Sequence, residues 1–294
     1  MREQDESGPH RSRAGAGLKG DVVFFSGRLK MYRKQKHTGF TLIELLVVIA
    51  IIALLLAILT PGLKRAKDTA KRVVCGAQFK QIGAALKMYS DAFDGMLPDD
   101  RDLFGSRERH AYAVYRDTAD YVYPSGKLKA LRFACLYEMN YIETPEVFYC
   151  PGNRLEQYRY ESYTHPTPWG TLPQTYNTAN GSNQWVRIGY TYYPVELKTQ
   201  IDPLSNAPVE LASKYIRLNP NIPHTTDVLH GRSNLSHQSK TVYAVNALFP
   251  DGHVSFCNDP VVFQDPVWDT FDNGFSDMRF YDTYYYTIFR LIRP

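Results

Sequence analysis

One carboxylate stands where the sequence is otherwise almost free of charge. Glu44 lies within Phe40 to Leu59, 20 residues that are nearly all apolar. A carboxylate at mid-bilayer depth costs about 2.5–3.5 kcal/mol on insertion scales, and less near the interface. Such a group either snorkels to the headgroups or meets a partner. No basic residue lies within the run, so a cationic partner has to come from outside it.

Three other groups of residues could carry chemistry. His230, His237, Asp251 and His253 offer imidazoles and a carboxylate, the donors of a metal cluster. Asp251-Gly252 is equally a hairpin turn for backbone reasons alone. Asp269, Asp272, Asn273 and Asp277 supply oxygen ligands suited to calcium, though not at EF-hand spacing. A solvated acidic loop has the same composition. The four cysteines, Cys75, Cys135, Cys150 and Cys257, form no C-x-x-C pair, which argues against a zinc ribbon. Cys150-Pro151-Gly152 marks a turn, with Cys150 either bonded to Cys135 or buried. Cys75 reads as a free buried thiol on a helix. No G-x-S-x-G, H-E-x-x-H, P-loop or G-x-G-x-x-G occurs. No enzyme is expected in the body.

Charge and composition narrow the class further. Residues 1–39 hold nine basic and four acidic residues, so the net charge of +4 leaves −1 for the rest. That excludes a basic nucleic-acid-binding body. The 22 Tyr and 15 Phe favour strands and aromatic-rich loops. The tyrosine-rich segments Tyr158 to Tyr163, Tyr190 to Tyr193 and Tyr281 to Tyr286 read as core strands, with a glycan- or partner-binding surface as the alternative.

The elements that position these residues begin with the apolar run. As a helix it spans about 30 Å, the thickness of a bilayer core. It is too long for a secretory signal, and no small-residue cleavage site follows it. Basic residues flank both ends, so charge alone does not orient it. Pro61 lacks an N–H and predicts a kink near Ala57 to Leu59 within a helix that continues. Beyond it, Leu63, Ala66, Ala70, Val73, Ala77, Ala84 and Met88 form one row at helical steps. Phe79, Ile82, Leu86, Tyr89 and Phe93 form a second. The helix is expected to end near Phe93, at Asp94-Gly95. From Met96 onward the pattern is strands and loops, with one short helical period over Lys127 to Met139. Val242 to Phe256 predicts a hairpin around Pro250-Asp251-Gly252, and Ile188 to Leu197 predicts another strand.

The segment "GFTLIELLVVIAIIALLLAILTP" resembles the N-terminus of type IV pilins and type II secretion pseudopilins. The resemblance rests on Gly39, Phe40, Thr41, Leu42, Glu44, the apolar run and Pro61. It implies that a prepilin peptidase cuts between Gly39 and Phe40 on the cytoplasmic side and N-methylates Phe40. It implies that Glu44 then neutralises the amine of a neighbouring subunit's Phe40. "MYRKQKHTG", Met31 to Gly39, is a complete leader by itself, so the start is expected at Met31. Residues 1–30 are then an artefact, or else part of a long leader. "DAFDGMLPDD", "VFYCPGN" and a His-to-Asp-Gly spacing from His237 to Asp251-Gly252 are similar to a sub-group of pilin-like proteins of planctomycete and verrucomicrobial bacteria. That spacing is longer here than in the sub-group.

The resemblance implies an α+β pilin-like fold: a long N-terminal helix, its first half transmembrane, packed on an antiparallel sheet with elaborated loops. The layout is a leader over 1–39, a transmembrane and assembly helix over 40–62, an amphipathic helix over 63–93 and a periplasmic β-rich domain over 94–294. The implied partners are the prepilin peptidase, other pilin-like subunits, an inner-membrane assembly platform and membrane lipids. The implied location is the bacterial inner membrane, N-terminus in, and then a filament. A pseudopilus subunit of a type II secretion-like system is the leading expectation. A surface-pilus subunit for adhesion or motility, and an anchored glycan-binding or enzymatic protein, are the alternatives. Major pseudopilins also carry calcium in a C-terminal loop, which points to Asp269, Asp272, Asn273 and Asp277. No other cofactor is implied.

Overall fold

Thr41 sits just before the first helical residue, and its short polar side chain can accept from a free helical N–H. From there α1 runs over Leu42–Ala92, 51 residues, with Pro61 inside it. This computed structural model describes residues 39–293, apart from 109, 117, 164–168, 170–175, 179–180, 184, 198–210, 239–241 and 273–280. The missing N–H of Pro61 leaves the helix unbroken, and the Thr60 hydroxyl donates to the Leu56 carbonyl at 2.6 Å. The end falls where Asp94-Gly95 predicts it. Both residues take positive φ, 50° and 78°, and the Gly95 N–H reaches back to the Ser90 carbonyl at 2.8 Å.

The chain divides into two units, Met1–Leu54 and Leu55–Pro294. In the first, the described apolar side chains from Phe40 to Leu54 are exposed. The second holds the hydrophobic cores. There the helical row Phe79, Ile82, Leu86 and Tyr89 is buried together with Cys75, while Phe93 stays partly exposed. The other row is turned to solvent, with Leu63, Val73 and Met88 all more than half exposed.

The buried row packs on an antiparallel sheet. After α1 come β1 (Ala113–Arg116), α2 (Phe133–Glu138), β2 (Tyr176–Thr178), β3 (Gly181–Asn183) and β4 (Trp185–Arg187). Then follow β5 (Tyr190–Tyr192), β6 (Thr225–Asp227), β7 (Val245–Leu248) and β8 (Val254–Cys257). The last four form one sheet in sequence order, and β1 pairs with β4 and β2 with β3. Tyr190 stands opposite Asp227, and Val245 opposite Cys257. The Phe79 ring meets that of Tyr190 at 4.5 Å. Gly83 lets α1 close on β7, since a Cβ there would lie 3.2 Å from a Leu248 methyl.

The hairpin from Val242 to Phe256 forms as expected, with Gly252 at φ 86° in its turn. Three expectations are corrected. The strand over Ile188 to Leu197 shrinks to Tyr190–Tyr192. The helix over Lys127 to Met139 covers only Phe133–Glu138, because Leu128 is drawn into a bridge with Val122 and Arg132 takes a φ of 50°. The C-terminal region is helical: α3 (Pro260–Gln264), α4 (Val267–Asp272) and α5 (Tyr281–Leu291). Tyr281 to Tyr286 is therefore helix, not strand. Tyr285, Ile288, Phe289 and Ile292 share its buried face, a 3.6-residue period that the tyrosine content conceals. With Tyr193, Phe249 and Trp268 they make a second core. Tyr158 to Tyr163 is corrected as well: it lies in the 3₁₀ turns Glu156–Tyr158 and Tyr160–Tyr163 rather than in a strand, although Tyr158 and Tyr163 are buried, as are Tyr190, Tyr192 and Tyr193.

A buried ionic network ties β1 to the loop before it. Glu108 accepts from the His110 ring at 2.6 Å and pairs with Arg116. Arg132, itself buried, donates to the Ala113 carbonyl at 3.0 Å and lies 3.5 Å from Asp100. Burial pushes the Glu108 carboxyl up, but His110 and Arg116 outweigh it and hold it at about 2. A carboxylate held low contributes stability above its ordinary value of 4.5 and loses it as pH falls toward about 2. Glu108→Gln should therefore cost about 3 kcal/mol at neutral pH, by leaving buried guanidinium charge uncompensated. Urea melts of both proteins at pH 7 and pH 3 should show a clearly smaller gap at pH 3, where part of the contribution is already lost. Equal stabilities at pH 7 would refute the network's role.

Candidate functional site

The N-terminal site is built from four residues. Gly39 and Phe40 precede the helix in non-helical chain. A Cβ on Gly39 would touch nothing within 4 Å, and Phe40 is 69% exposed. Among the described residues nothing crowds the link between them. Thr41 and Glu44 then form a reciprocal cap. The Glu44 N–H donates to the Thr41 hydroxyl oxygen at 3.2 Å. Glu44 Oε2 accepts from the Thr41 backbone N–H at 2.8 Å and from its hydroxyl at 2.7 Å. This is a capping box, which satisfies donors that the helix start leaves open. Both donors fall on Oε2, and Oε1 accepts no hydrogen bond among the described residues.

A second site lies under α1 in the other unit. Cys75 of α1, Cys150 after the 3₁₀ turn Pro145–Phe148, Asp227 of β6 and His237 of a later loop converge there. Their sulfur, oxygen and nitrogen atoms all lie within 4.8 Å of one another. Cys75 Sγ donates to Asp227 Oδ1 at 2.9 Å and lies 3.4 Å from the Tyr190 hydroxyl. His237 Nε2 stands 3.4 Å from Cys150 Sγ and 3.7 Å from Asp227 Oδ2. The Gly152 N–H donates to Cys150 Sγ at 3.3 Å, and the Asn246 N–H to Asp227 Oδ2 at 2.5 Å. Cys75 and Asp227 have no exposed surface.

The charges of this cluster are strongly interdependent. Burial pushes Cys150 up, but the Cys75 thiol and His237 outweigh it and hold it well below the ordinary thiol range. Burial and the Cys150 contact push Cys75 well up. Asp227 is raised to about 7, by burial first and then by the Cys150 charge. His237 is raised to about 9, because Asp227 and Cys150 overcome the cost of burying its cation. A thiolate beside an imidazolium is the ground arrangement that these contacts favour.

Residues 34–60 match a family model described as the prokaryotic N-terminal methylation motif. Type II secretion system core protein G of Pseudomonas aeruginosa is 44% identical over 57 residues. The N-terminal segment of the chain is similar to that of type IV pilin-like proteins. That match covers 19% of this chain and 40% of the relative, so the chain spans less than half of that relative's length. No solved structure matches the chain.

Gly39, Phe40 and Glu44 lie together at the helix start, and Pro61 lies within α1. The sequence pattern T-L-I-E was sufficient to find the capping box, a role for Thr41 and Glu44 that the sequence reading passed over. The metal grouping of His230, His237, Asp251 and His253 is not assembled. His253 Nδ1 pairs with Asp251 at 2.5 Å in the hairpin turn, His230 packs against Tyr112 and Tyr158, and His237 joins the cysteines. The Cys135–Cys150 bond is likewise corrected. All four cysteines are free, and Cys135 Sγ faces the Ala130 carbonyl at 3.5 Å while Cys150 turns to His237. Cys75 is the buried thiol that the helix pattern predicts. Of the calcium set, Asp269 pairs with Arg232 and Asp272 closes α4, while Asn273 and Asp277 lie outside the described residues. Asp227 was missed altogether. Its only local signal is a carboxylate in "TTD", a polar triplet that forms the inner strand β6 with every residue buried.

Gly189 holds the second site in shape. A Cβ there would sit 2.7 Å from the Cys150 backbone nitrogen and 3.2 Å from Tyr149 Cα. Backbone atoms cannot step aside as a flexible side chain can. Gly189→Ala should therefore destabilise the protein by about 2 kcal/mol. Gly76→Ala is the control, because its Cβ would meet only ordinary contacts at 3.9 Å and beyond, inside α1. It should gain about 0.5–1 kcal/mol. Thermal melts of both variants that shifted in the same direction would contradict the close approach at Cys150.

Proposed function

We propose that this chain is a pilin-like subunit, cut by a prepilin peptidase between Gly39 and Phe40, N-methylated on Phe40, and assembled through α1 into a type II secretion-like pseudopilus. The reading is carried by one observation. An open Gly39–Phe40 link leads directly into a capped helix whose apolar residues are unpartnered, within the segment matched by the methylation motif. The relative that matches this segment is named as a core protein of type II secretion. The window of α1 with the highest mean hydropathy, 3.3, has none of its surface buried. The precursor is anchored by this helix in the inner membrane, and processing of the Gly39–Phe40 link on the cytoplasmic side places its leader inside and its body outside. The role is assembly rather than catalysis.

The capping box explains how Glu44 is tolerated before assembly. Thr41 satisfies Oε2 within the same helix, so the precursor does not hold a bare carboxylate in lipid. Oε1 remains for the amine that cleavage creates at the Phe40 of an incoming subunit. The charge pair forms only when subunits meet, which links docking to processing. The exposed row Leu63, Val73 and Met88 offers further apolar surface to a neighbour.

Peptide mass spectrometry of the membrane-derived protein tests the processing step. The mature chain should begin at N-methyl-Phe40. A chain that still begins at Met1 or Met31 would sink the proposal. Two substitutions then separate the two jobs of Glu44. Glu44→Gln keeps an oxygen acceptor for Thr41 but loses the charge, so cleavage should persist while filament recovery falls at least about tenfold, equivalent to ~1.4 kcal/mol. Thr41→Val removes the hydroxyl, and should weaken the helix start by about 1 kcal/mol while leaving the docking charge in place. Filament yields by immunoblot of sheared fractions decide between them, and equal losses in both variants would deny Glu44 a separate docking role.

A further inference from the structure

The cluster under α1 gathers two thiols, a carboxylate and an imidazole in a pocket that offers them almost no water. Cys75 and Asp227 have no exposed surface, Cys150 has 4%, and the His237 side chain has 6%. Three potential anions face one potential cation. Isolated buried charge of this kind is expensive unless it is paired or coordinates a metal. The chain assembles it from four segments separated by long intervals, so no local turn accounts for it.

The direction in which the atoms point narrows its use. His237 presents the same nitrogen, Nε2, to both Cys150 Sγ and Asp227 Oδ2. A nucleophilic relay needs the carboxylate on one ring nitrogen and the thiol on the other. Convergence on a single nitrogen is instead what a common central point requires. A tetrahedral ion with bonds of about 2.0–2.3 Å to N, O and S places its ligand atoms about 3.3–3.8 Å apart. The observed separations of 3.4 and 3.7 Å fall in that range; Cys75 meets the other carboxylate oxygen, Oδ1, at 2.9 Å, so a small turn of the Asp227 carboxylate would present one oxygen to the shared point.

The geometry points to a structural zinc site formed by Cys75, Cys150, Asp227 and His237. Two thiolates exclude calcium and magnesium as the natural occupant and favour a borderline-soft ion. Four protein ligands close the coordination shell, as in structural rather than catalytic sites. The outer contacts are also those of a metal site. The Gly152 N–H donates to Cys150 Sγ, the Asn246 N–H donates to Asp227, and the Tyr190 hydroxyl lies beside Cys75 Sγ while donating to Gln78 at 2.6 Å. Zinc with two thiolates and one carboxylate leaves one net negative charge. Arg72, one turn before Cys75, lines an adjoining cavity of about 300 Å³ that also reaches His237 and Gly152. The cavity gives the ion a path in, and the guanidinium supplies charge compensation. The ion would pin α1 to β6 and to two loops. It would also protect two neighbouring thiols from oxidation outside the cytoplasm.

The test uses the full-length chain, purified in detergent with reductant and without chelator. Elemental analysis should find one zinc per chain. Exchange with cobalt(II) should give a thiolate-to-cobalt charge-transfer band and the intense visible bands of a tetrahedral ion. His237→Asn and Cys150→Ser should lose stoichiometric metal, whereas Cys135→Ser and Cys257→Ser should keep it. Removal of the metal by a strong chelator should lower the melting temperature of the wild type. If the ligand variants fail to fold, as judged by near-ultraviolet circular dichroism, the wild-type cobalt spectrum and the Cys135 and Cys257 controls still decide. Three results would overturn the site: a reduced wild-type chain that takes up no metal, a spectrum without thiolate ligation, or a Cys75–Cys150 disulfide in protein isolated without reductant. None depends on whether Gly39 is processed, so failure of the zinc site and failure of the assembly proposal read out separately.

Discussion

Asp227 is a carboxylate without solvent, on an inner strand whose other two residues are buried threonines. Water cannot stabilise it, so the surrounding chain must. The Asn246 N–H on β7 and the Cys75 thiol on α1 both donate to it, and His237 faces it from a loop. These contacts draw helix, sheet and loop to one point. The close approaches around that point follow. Gly76 and Gly83 bring α1 down on β7 and β8, while Gly152 and Gly189 bring the Cys150 turn against His237 and β5. At Gly152 and Gly189 a larger residue would push backbone against backbone or ring. Gly76 and Gly83 thus serve the close packing of α1 on the sheet.

α1 therefore carries two kinds of surface along one helix. Between Cys75 and Tyr89 the row at steps of three and four is spent on the core. The other row is exposed over the same stretch, and the N-terminal run is exposed all round. A helix whose apolar face is used up internally cannot also serve a partner with that face. Here the helix has apolar residues to spare. That surplus is what the proposed assembly would draw on.

Legibility in the sequence followed the range of the forces involved. α1, its cap at Asp94-Gly95, and the β7–β8 hairpin depend on residues a few positions apart, and the pattern shows them directly. The N-terminal motif is similarly local. α5 was misread because "YDTYYYTIFRL" has a strand-like composition but a helical period, and composition was weighed first. α2 came out short because Leu128 folds back six residues to bridge Val122 around a turn and Arg132 takes a positive φ, so the helix cannot begin before Phe133. β6 was invisible because "TTD" is polar, and only the completed sheet and helix bury it.

The cysteine-histidine cluster shows the same limit most clearly. Cys150 and His237 each drew notice, one as half of a disulfide and the other as part of a turn-side metal group. Each assignment took the partners that seemed nearest in kind or in sequence. Cys150 meets Cys75, 75 residues earlier on α1, and His237, 87 residues later in a loop, while Asp227 on β6 lies 10 residues before His237. Spacing rules for metal sites describe ligands delivered in pairs by one turn or one helix. When four separate elements each deliver one ligand, spacing carries no information. The signal moves to burial: a thiol, a carboxylate and an imidazole that all lose their water must be neutralised by one another or by something that enters. That criterion needs the fold, and the fold here places all of them around one point.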